Sequence, residues 1–511
     1  MLLHSRFMAW KFSFWGVVQM QSHKRKLFVI ILAILGTIVL ACGCNAQPAL
    51  PKGLSLTITG DVQNEIVLTD YEGWDRTKIQ YRGESQEVIP LEPILARSGI
   101  MGEQVTIFLS APDGAIAEIP LEQISGECWL RLTAEYGWQF ISENHPRQAG
   151  IKYMNYIVVS AAEPGRQGPC VRVIDGAKET ALTYGQLFAA KAINRMVPEG
   201  EAKKGSLSTD VYSRRSLIPI SQYLKDESKT QTTALAYYGD GSQGEIALAG
   251  FLEWRGNSAD YLGPDGRTRK PDIIGIWVDP PEYSVTDLAP EALLALKEGP
   301  VLVILLDGVG YHNFLALQPA FLGSKDPKPA RTVMPSISPV GLGAIVTGRL
   351  PKDNGITARN MRELCVDDIF VNASNMGKTS AKVGGSTKVI STSINQLLNP
   401  DLNGNGSTDD EVFACAQREL AIGTDLVFVH FHGYDDIAHT YGPLSPEAAA
   451  RFDELDEYVK ELCRGFSGTV LVIADHGQHP AQGDKLGEHG EFRLLDLVVP
   501  WIRFENHGAR P

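Results

Sequence analysis

Residues Pro300-Val301-Leu302-Val303-Ile304-Leu305-Leu306 run straight into Asp307-Gly308. The run has no polar alternation. A strand of that kind must be covered on both faces, as in a parallel sheet flanked by helices. Two more runs repeat the pattern. Leu426-Val427-Phe428-Val429 leads to Asp435, and Thr469-Val470-Leu471-Val472-Ile473-Ala474 runs into Asp475. Between them lie segments with apolar residues at helical spacing, such as Pro446 to Cys463. Together they predict an α/β domain over 299–511, a mostly parallel sheet sandwiched by helices. Ligands of such sheets bind beyond the carboxyl ends of the strands. All three acids are expected at that edge.

Upstream the texture is strand-like. Leu54-Ser55-Leu56-Thr57-Ile58-Thr59 alternates apolar and polar, as does Val105-Thr106-Ile107-Phe108-Leu109. Gly, Pro, Asn and Asp punctuate at short intervals, as in antiparallel β domains. Tyr184 to Met196 is a helical candidate, and residues 200–210, where Glu, Lys, Gly and Ser cluster, read as a linker. The expected organisation is an address segment over 1–44, a β-rich accessory domain over 45–200, a second β-rich unit over 201–285 and the α/β domain over 299–511. Residues 53–160 also resemble the β-rich molybdopterin-binding domain of sulfite oxidase-like proteins. No pterin-ligand Cys stands in the expected context, so no function carries across.

The 511 residues hold 60 Asp+Glu against 47 Lys+Arg, a formal net charge of -13. That excess argues against a general nucleic-acid binder, which shows a basic field. At the other extreme of the chain, His23-Lys24-Arg25-Lys26 precedes the apolar run Leu27 to Leu40 and then Ala41-Cys42. A basic region, an apolar region and a small residue before the cut predict export. Val39-Leu40-Ala41-Cys42 resembles a bacterial lipobox, which would make Cys42 the lipidated residue on the outer face of the bacterial cell membrane. An uncleaved helical anchor or simple secretion are the alternatives. None of the seven Cys forms a Cys-x-x-Cys pair, so a thiolate zinc site is not expected. Export permits disulfides, which sequence cannot pair.

Seven of the eleven His fall in the last 82 residues. Asp475-His476-Gly477 follows a buried strand, and a carboxylate beside an imidazole is a half-site for zinc or manganese. Asp435 and His439, four apart, share a face if that stretch is helical. His489 follows in Gly-Glu-His-Gly. Asp307 opens the set. Each has an ordinary reading alone, as a turn Asp or a surface His. Three acids at strand ends with three ordered His are harder to dismiss together. Ser338 lies just before a small-residue helix start, placed as a nucleophile where backbone N–H groups can hold an anion. An N-cap serine is the ordinary reading there.

The order Asp307, Ser338, Asp435-x-x-x-His439, Asp475-His476-Gly477, His489 resembles the alkaline phosphatase superfamily. It is most similar to the nucleotide pyrophosphatase/phosphodiesterase branch. Ser338 stands nine before Thr347-Gly348, the branch's spacing from its nucleophile. Leu350-Pro351-x-x-x-Gly355-Ile356 and His439-x-Tyr441-Gly442-Pro443 match its further motifs. The resemblance covers about 299–511. It implies an alkaline-phosphatase-like fold and a phosphoric ester hydrolase acting on mono- or diesters through a phosphoserine on Ser338. It also implies two divalent ions, zinc or else manganese. One would be held by Asp307, Asp475 and His476 with Ser338, the other by Asp435, His439 and His489.

Two departures stand out. The branch usually carries Thr followed two residues on by Pro-Asn, whereas Ser338 is followed by Pro339-Val340-Gly341, which leaves no Asn at Gly341 to hold a phosphoryl oxygen. A sulfatase setting is excluded, because no Arg follows until Arg349. The rival readings are a phosphoryl transferase of the phosphoglycerate mutase type and a non-catalytic surface lipoprotein with a degenerate core. Finally, Asp401, Asn403, Asn405 and Asp409 place oxygens at alternate positions with Gly406 at the sixth, as at the start of a calcium loop. The twelfth position is Val412 rather than Glu. A solvated polar turn is the alternative.

Overall fold

The computed structural model describes residues 54–164, 170–226 and 232–508. The address segment and Cys42 lie outside them. No described helix is long and apolar enough to cross a membrane.

The α/β region is built on an eight-stranded sheet. Its order is Tyr283–Ser284, Lys328–Arg331, Val498–His507, Ser467–Ile473, Val301–Leu306, Leu426–Phe431, Ser380–Gly384 and Gln396–Leu398. Val301–Leu306 is central and pairs in parallel with Leu426–Phe431 on one side and Ser467–Ile473 on the other. Val498–His507 runs antiparallel to both its neighbours. Every residue of Val301–Leu306 and Leu426–Phe431 is buried, so helices cover both faces, as the unbroken apolar runs require. Apolar side chains of these strands and the flanking helices form one core.

The β-rich region contains two copies of one topology. Leu56–Gly60 pairs antiparallel with the strand after it and parallel with the closing strand Tyr156–Glu163. Cys170–Asp175 does the same with Lys178–Thr183 and the closing strand Ile273–Val278. Each closing strand also pairs antiparallel with a strand from the middle of its unit. A second sheet accompanies each copy: Thr77–Tyr81 through Gly137–Ser142 in the first, Ile193–Lys204 through Arg269–Lys270 in the second. The apolar cores follow this division, one drawn from residues 56–161 and the other from 171–278.

This moves the expected boundary. Position 200 lies inside a long antiparallel hairpin, Ile193–Lys204 with Leu207–Pro219, so 200–210 is not a linker. The outer half of that hairpin is solvated on both faces, which gives it the polar composition of a linker. The predicted helix ends early. It spans Tyr184–Ala189, and Ile193 already begins the hairpin. The five described cysteines, Cys128, Cys170, Cys365, Cys415 and Cys463, are all unpaired thiols.

Candidate metal and phosphoryl-transfer site

Asp307 and Asp475 sit where expected, one residue past Leu306 and two past Ile473. Both are fully buried. Asp435 sits elsewhere, in the first turn of the helix Gly433–Tyr441 rather than at a strand end. That helix brings His439 onto the same face, with Nε2 3.5 Å from Asp435 Oδ2. Gly308 makes the close approach possible. Its φ is +74°, and a Cβ there would stand 2.5 Å from Asp435 Oδ1.

Ser338 is the first residue of the helix Ser338–Thr347. Its hydroxyl donates to Asp307 Oδ1 at 3.3 Å and lies 3.1 Å from His476 Nε2. The three residues that follow it offer no free amide for the expected cradle. Pro339 has no N–H, and the N–H groups of Val340 and Gly341 both donate to the Ile337 carbonyl. Gly341 occupies the Asn position of the resembling branch because nothing larger fits. A Cβ there would meet the Asp475 carbonyl oxygen at 2.5 Å.

The three predicted histidine ligands share one arrangement. Nδ1 of His439 bonds the Gly487 carbonyl at 2.7 Å, Nδ1 of His489 the Ser336 carbonyl at 2.9 Å, and Nδ1 of His476 the Gly477 carbonyl at 3.1 Å. In a neutral imidazole, a donor committed to a backbone carbonyl leaves Nε2 unprotonated and fixes the ring, as is usual for histidines that hold metals. The His476 and His489 rings stack at 3.8 Å, with His439 5.1 Å from His489. Asp307, Asp475 and His476 present ligand atoms within reach of one ion, and so do Asp435, His476 and His489. His476 thus stands between the two groups, and His439 flanks the second through Asp435.

The electrostatics fit cations. Burial and the neighbouring Asp307 carboxylate push Asp475 up to about 8. Burial and the same carboxylate raise Asp435. Asp475 Oδ2 is buried without a hydrogen-bond partner, a costly orphan in a protein interior. A divalent ion between these carboxylates would satisfy that oxygen and relieve the repulsion.

Two site residues were not anticipated. His430 Nε2 and His432 Nδ1 both converge on Asp307 Oδ2, at 2.8 and 2.9 Å. Burial opposes charge on Asp307, but the charge of His432 and hydrogen bonds from both rings hold its carboxyl well below the usual range. Burial also works against charge on His432, and the Asp307 carboxylate outweighs it, raising the imidazole to about 9. Burial and His432 depress His430 to about 4. A sequence signal existed: a histidine in an otherwise apolar strand, with another two residues on. Gln478 was also missed; its amide donates to Asp435 Oδ1.

The calcium loop is not assembled as expected. Asp401 accepts from the N–H groups of Gly404, Asn405 and Gly406. Asp409 turns away, accepting from the N–H groups of His432 and Gly433. Asp410 instead meets the Asn403 and Asn405 side chains. The sequence spacing suits a calcium loop, but the buried helix start captures Asp409. The polar turn is the better description.

A mostly parallel sheet thus sets carboxylates and imidazoles beyond its strand ends, beside a helix-start serine. Residues 301–497 match the model of the type I phosphodiesterase / nucleotide pyrophosphatase family. No curated protein matches the chain. Among solved structures, murine ectonucleotide pyrophosphatase / phosphodiesterase 5 is 12% identical over 41% of this chain and 88% of its own, with TM-score 0.34. The human counterpart is 12% identical over 41% and 90%, with TM-score 0.31. Phosphonoacetate hydrolase from Sinorhizobium meliloti is 18% identical over 36% and 58%, with TM-score 0.28.

Proposed function

We propose that the protein is an exported, membrane-anchored phosphohydrolase that cleaves phosphate mono- or diesters through a phosphoserine on Ser338, with two divalent ions, zinc or manganese. The observation that carries this reading is Ser338 Oγ, 3.3 Å from Asp307 and 3.1 Å from His476, beside the unpartnered Asp475 oxygen. The basic cluster and apolar run of 23–40 support export.

Asp307, Asp475 and His476, with Ser338, would hold one ion; Asp435, His439 and His489 the other. Bound ions would lower the serine pKa and stabilise charge on the attacking and leaving oxygens. Ser338 Oγ forms a bond to phosphorus as the ester P–O bond breaks, and the alcohol leaves with a proton from solvent. Water then cleaves the Oγ–P bond, releasing phosphate when the substrate is a monoester and a phosphate monoester when it is a diester, and the serine hydroxyl is restored. The carbonyls of Gly487, Ser336 and Gly477 keep the three imidazoles oriented throughout.

Purified residues 46–511, loaded with zinc or manganese, are expected to hydrolyse an aryl phosphate monoester or diester. Ser338→Ala is expected to lower kcat by about 10³-fold or more while metal content stays unchanged. Absence of turnover on both ester classes with two metals bound would sink the reading. Undiminished activity in the variant would remove Ser338 as nucleophile.

A further inference from the structure

We propose that Gln478 is a positioning residue for the ion assigned to Asp435, His439 and His489. Its amide reserves one oxygen of Asp435, so that the carboxylate ligates through the other alone, and this tilts the site toward zinc over manganese. The inference deepens the two-metal reading above and rests on it.

The two oxygens of Asp435 have different neighbours. Oδ1 accepts from the Gln478 side-chain amide and lies against Gly308, where a Cβ would stand 2.5 Å away. Oδ2 faces His439 Nε2 at 3.5 Å. Nε2 of Gln478 also donates to the Asp435 backbone carbonyl at 3.3 Å. Two acceptors on one residue fix which end of the amide faces Asp435, because an amide oxygen turned there would meet only other acceptors. The glutamine is held in turn. It is completely buried, its backbone carbonyl accepts from Asn313 Nδ2 at 3.2 Å, and its Oε1 packs on Gly487, where a Cβ would come within 2.6 Å. Gly487 is also the residue whose carbonyl orients His439. The short hairpin of His479–Pro480 with Gly487–Glu488, which follows Gln478 directly, therefore sets both Asp435 and His439.

Coordination number follows from this arrangement. A carboxylate limited to one oxygen, together with two imidazoles, supplies three protein ligands and leaves one position open, the format of tetrahedral zinc. Manganese suits octahedral sites rich in oxygen ligands. Freeing Oδ1 to chelate adds an oxygen and moves the site toward that second format. The substitution that frees it is mild. Gln478 Oε1 is buried without a donor, so an apolar side chain of the same length removes a buried orphan, and Gln478→Met is expected to keep the fold.

The competing account gives Gln478 a structural role only, which would weaken every metal alike. The test therefore compares two metals. Full-length protein is stripped with chelator. Zn²⁺ is then titrated against a chromophoric competitor, and Mn²⁺ is titrated with the free ion read by electron paramagnetic resonance. Wild type is expected to bind two zinc ions. Gln478→Met and the differently shaped Gln478→Leu should hold one of the two about 10–100-fold more weakly and lose less affinity for manganese, with wild-type circular dichroism establishing that they fold. The nucleophile-side ion is the internal control. Two zinc ions held as tightly as in wild type, or equal losses for zinc and manganese, overturn the inference and leave the two-metal reading standing. Fewer than two zinc ions in the wild type overturns both.

Discussion

Lys382 offers a quantitative test of how the eight-stranded sheet is built. It lies on Ser380–Gly384, opposite Phe428 of the neighbouring strand, and is completely buried. Its amine has no hydrogen-bond partner. Burial, with repulsion from Lys388, lowers it from 10.5 to about 8. The difference corresponds to about 3 kcal/mol of disfavoured charge in the folded state. Below pH 8 both folded and unfolded chains carry the proton, and the full cost is present. Between pH 8 and 10.5 the unfolded chain still binds a proton that the folded chain has released, so stability rises with pH there. Lys382→Met leaves an unbranched side chain one atom shorter and removes the charge. On metal-free protein the variant should be more stable by about 3 kcal/mol at pH 7, and the advantage should shrink to about 1.4 kcal/mol at pH 9.5. Urea unfolding followed by far-UV circular dichroism at the two pH values measures both. A variant less stable at pH 7, or an advantage that does not change with pH, would show that the amine is not held uncompensated in the sheet.

Gly341→Asn restores the residue usual in the resembling branch, yet its Cβ would meet the Asp475 carbonyl at 2.5 Å. It should destabilise by about 1–3 kcal/mol and lower metal content rather than improve diester cleavage; a thermal melt with metal analysis decides. Phe492 is buried against Tyr237 and Trp277, with ring centroids 4.9 and 6.5 Å away. Phe492→Ala should cost about 3–5 kcal/mol and weaken metal retention through the loop that also carries His489, read by urea unfolding and dialysis.

The α/β region was legible because its signals are local and ordered. An apolar run without alternation can only be a two-sided strand, and Asp307 and Asp475 follow such runs directly. Ser338 was singled out by its spacing to Thr347-Gly348, and it lies at a helix start beside Asp307 and His476. His430 and His432 were missed because the search followed apolar continuity, which stops at Val429, whereas the strand continues to Phe431. Asp409 was misplaced because spacing along a loop does not say which buried N–H groups will compete for a carboxylate. The duplicated β topology was hidden for a related reason. Pairing order repeats between the copies, but the residues do not: Leu56-Thr57-Ile58 occupies the place of Cys170-Val171-Arg172.

That duplication changes what the second β unit is for. Arg172, nearly buried on its first strand, pairs with Glu491 at 2.6 Å. The Glu491 carbonyl accepts from the Ser336 hydroxyl at 3.3 Å, and the Ser336 carbonyl accepts from His489 Nδ1 at 2.9 Å. Ile174, Tyr237 and Trp277 pack with Met334, Phe492, Leu497 and Val498 in one apolar cluster. The segments entering Ser338 and leaving His489 therefore rest on the β unit rather than on the eight-stranded sheet alone. A loop proposed to orient a metal ligand needs support outside its own backbone. Here the neighbouring β unit supplies that support, so it belongs to the construction of the site and is not merely an appendage to it.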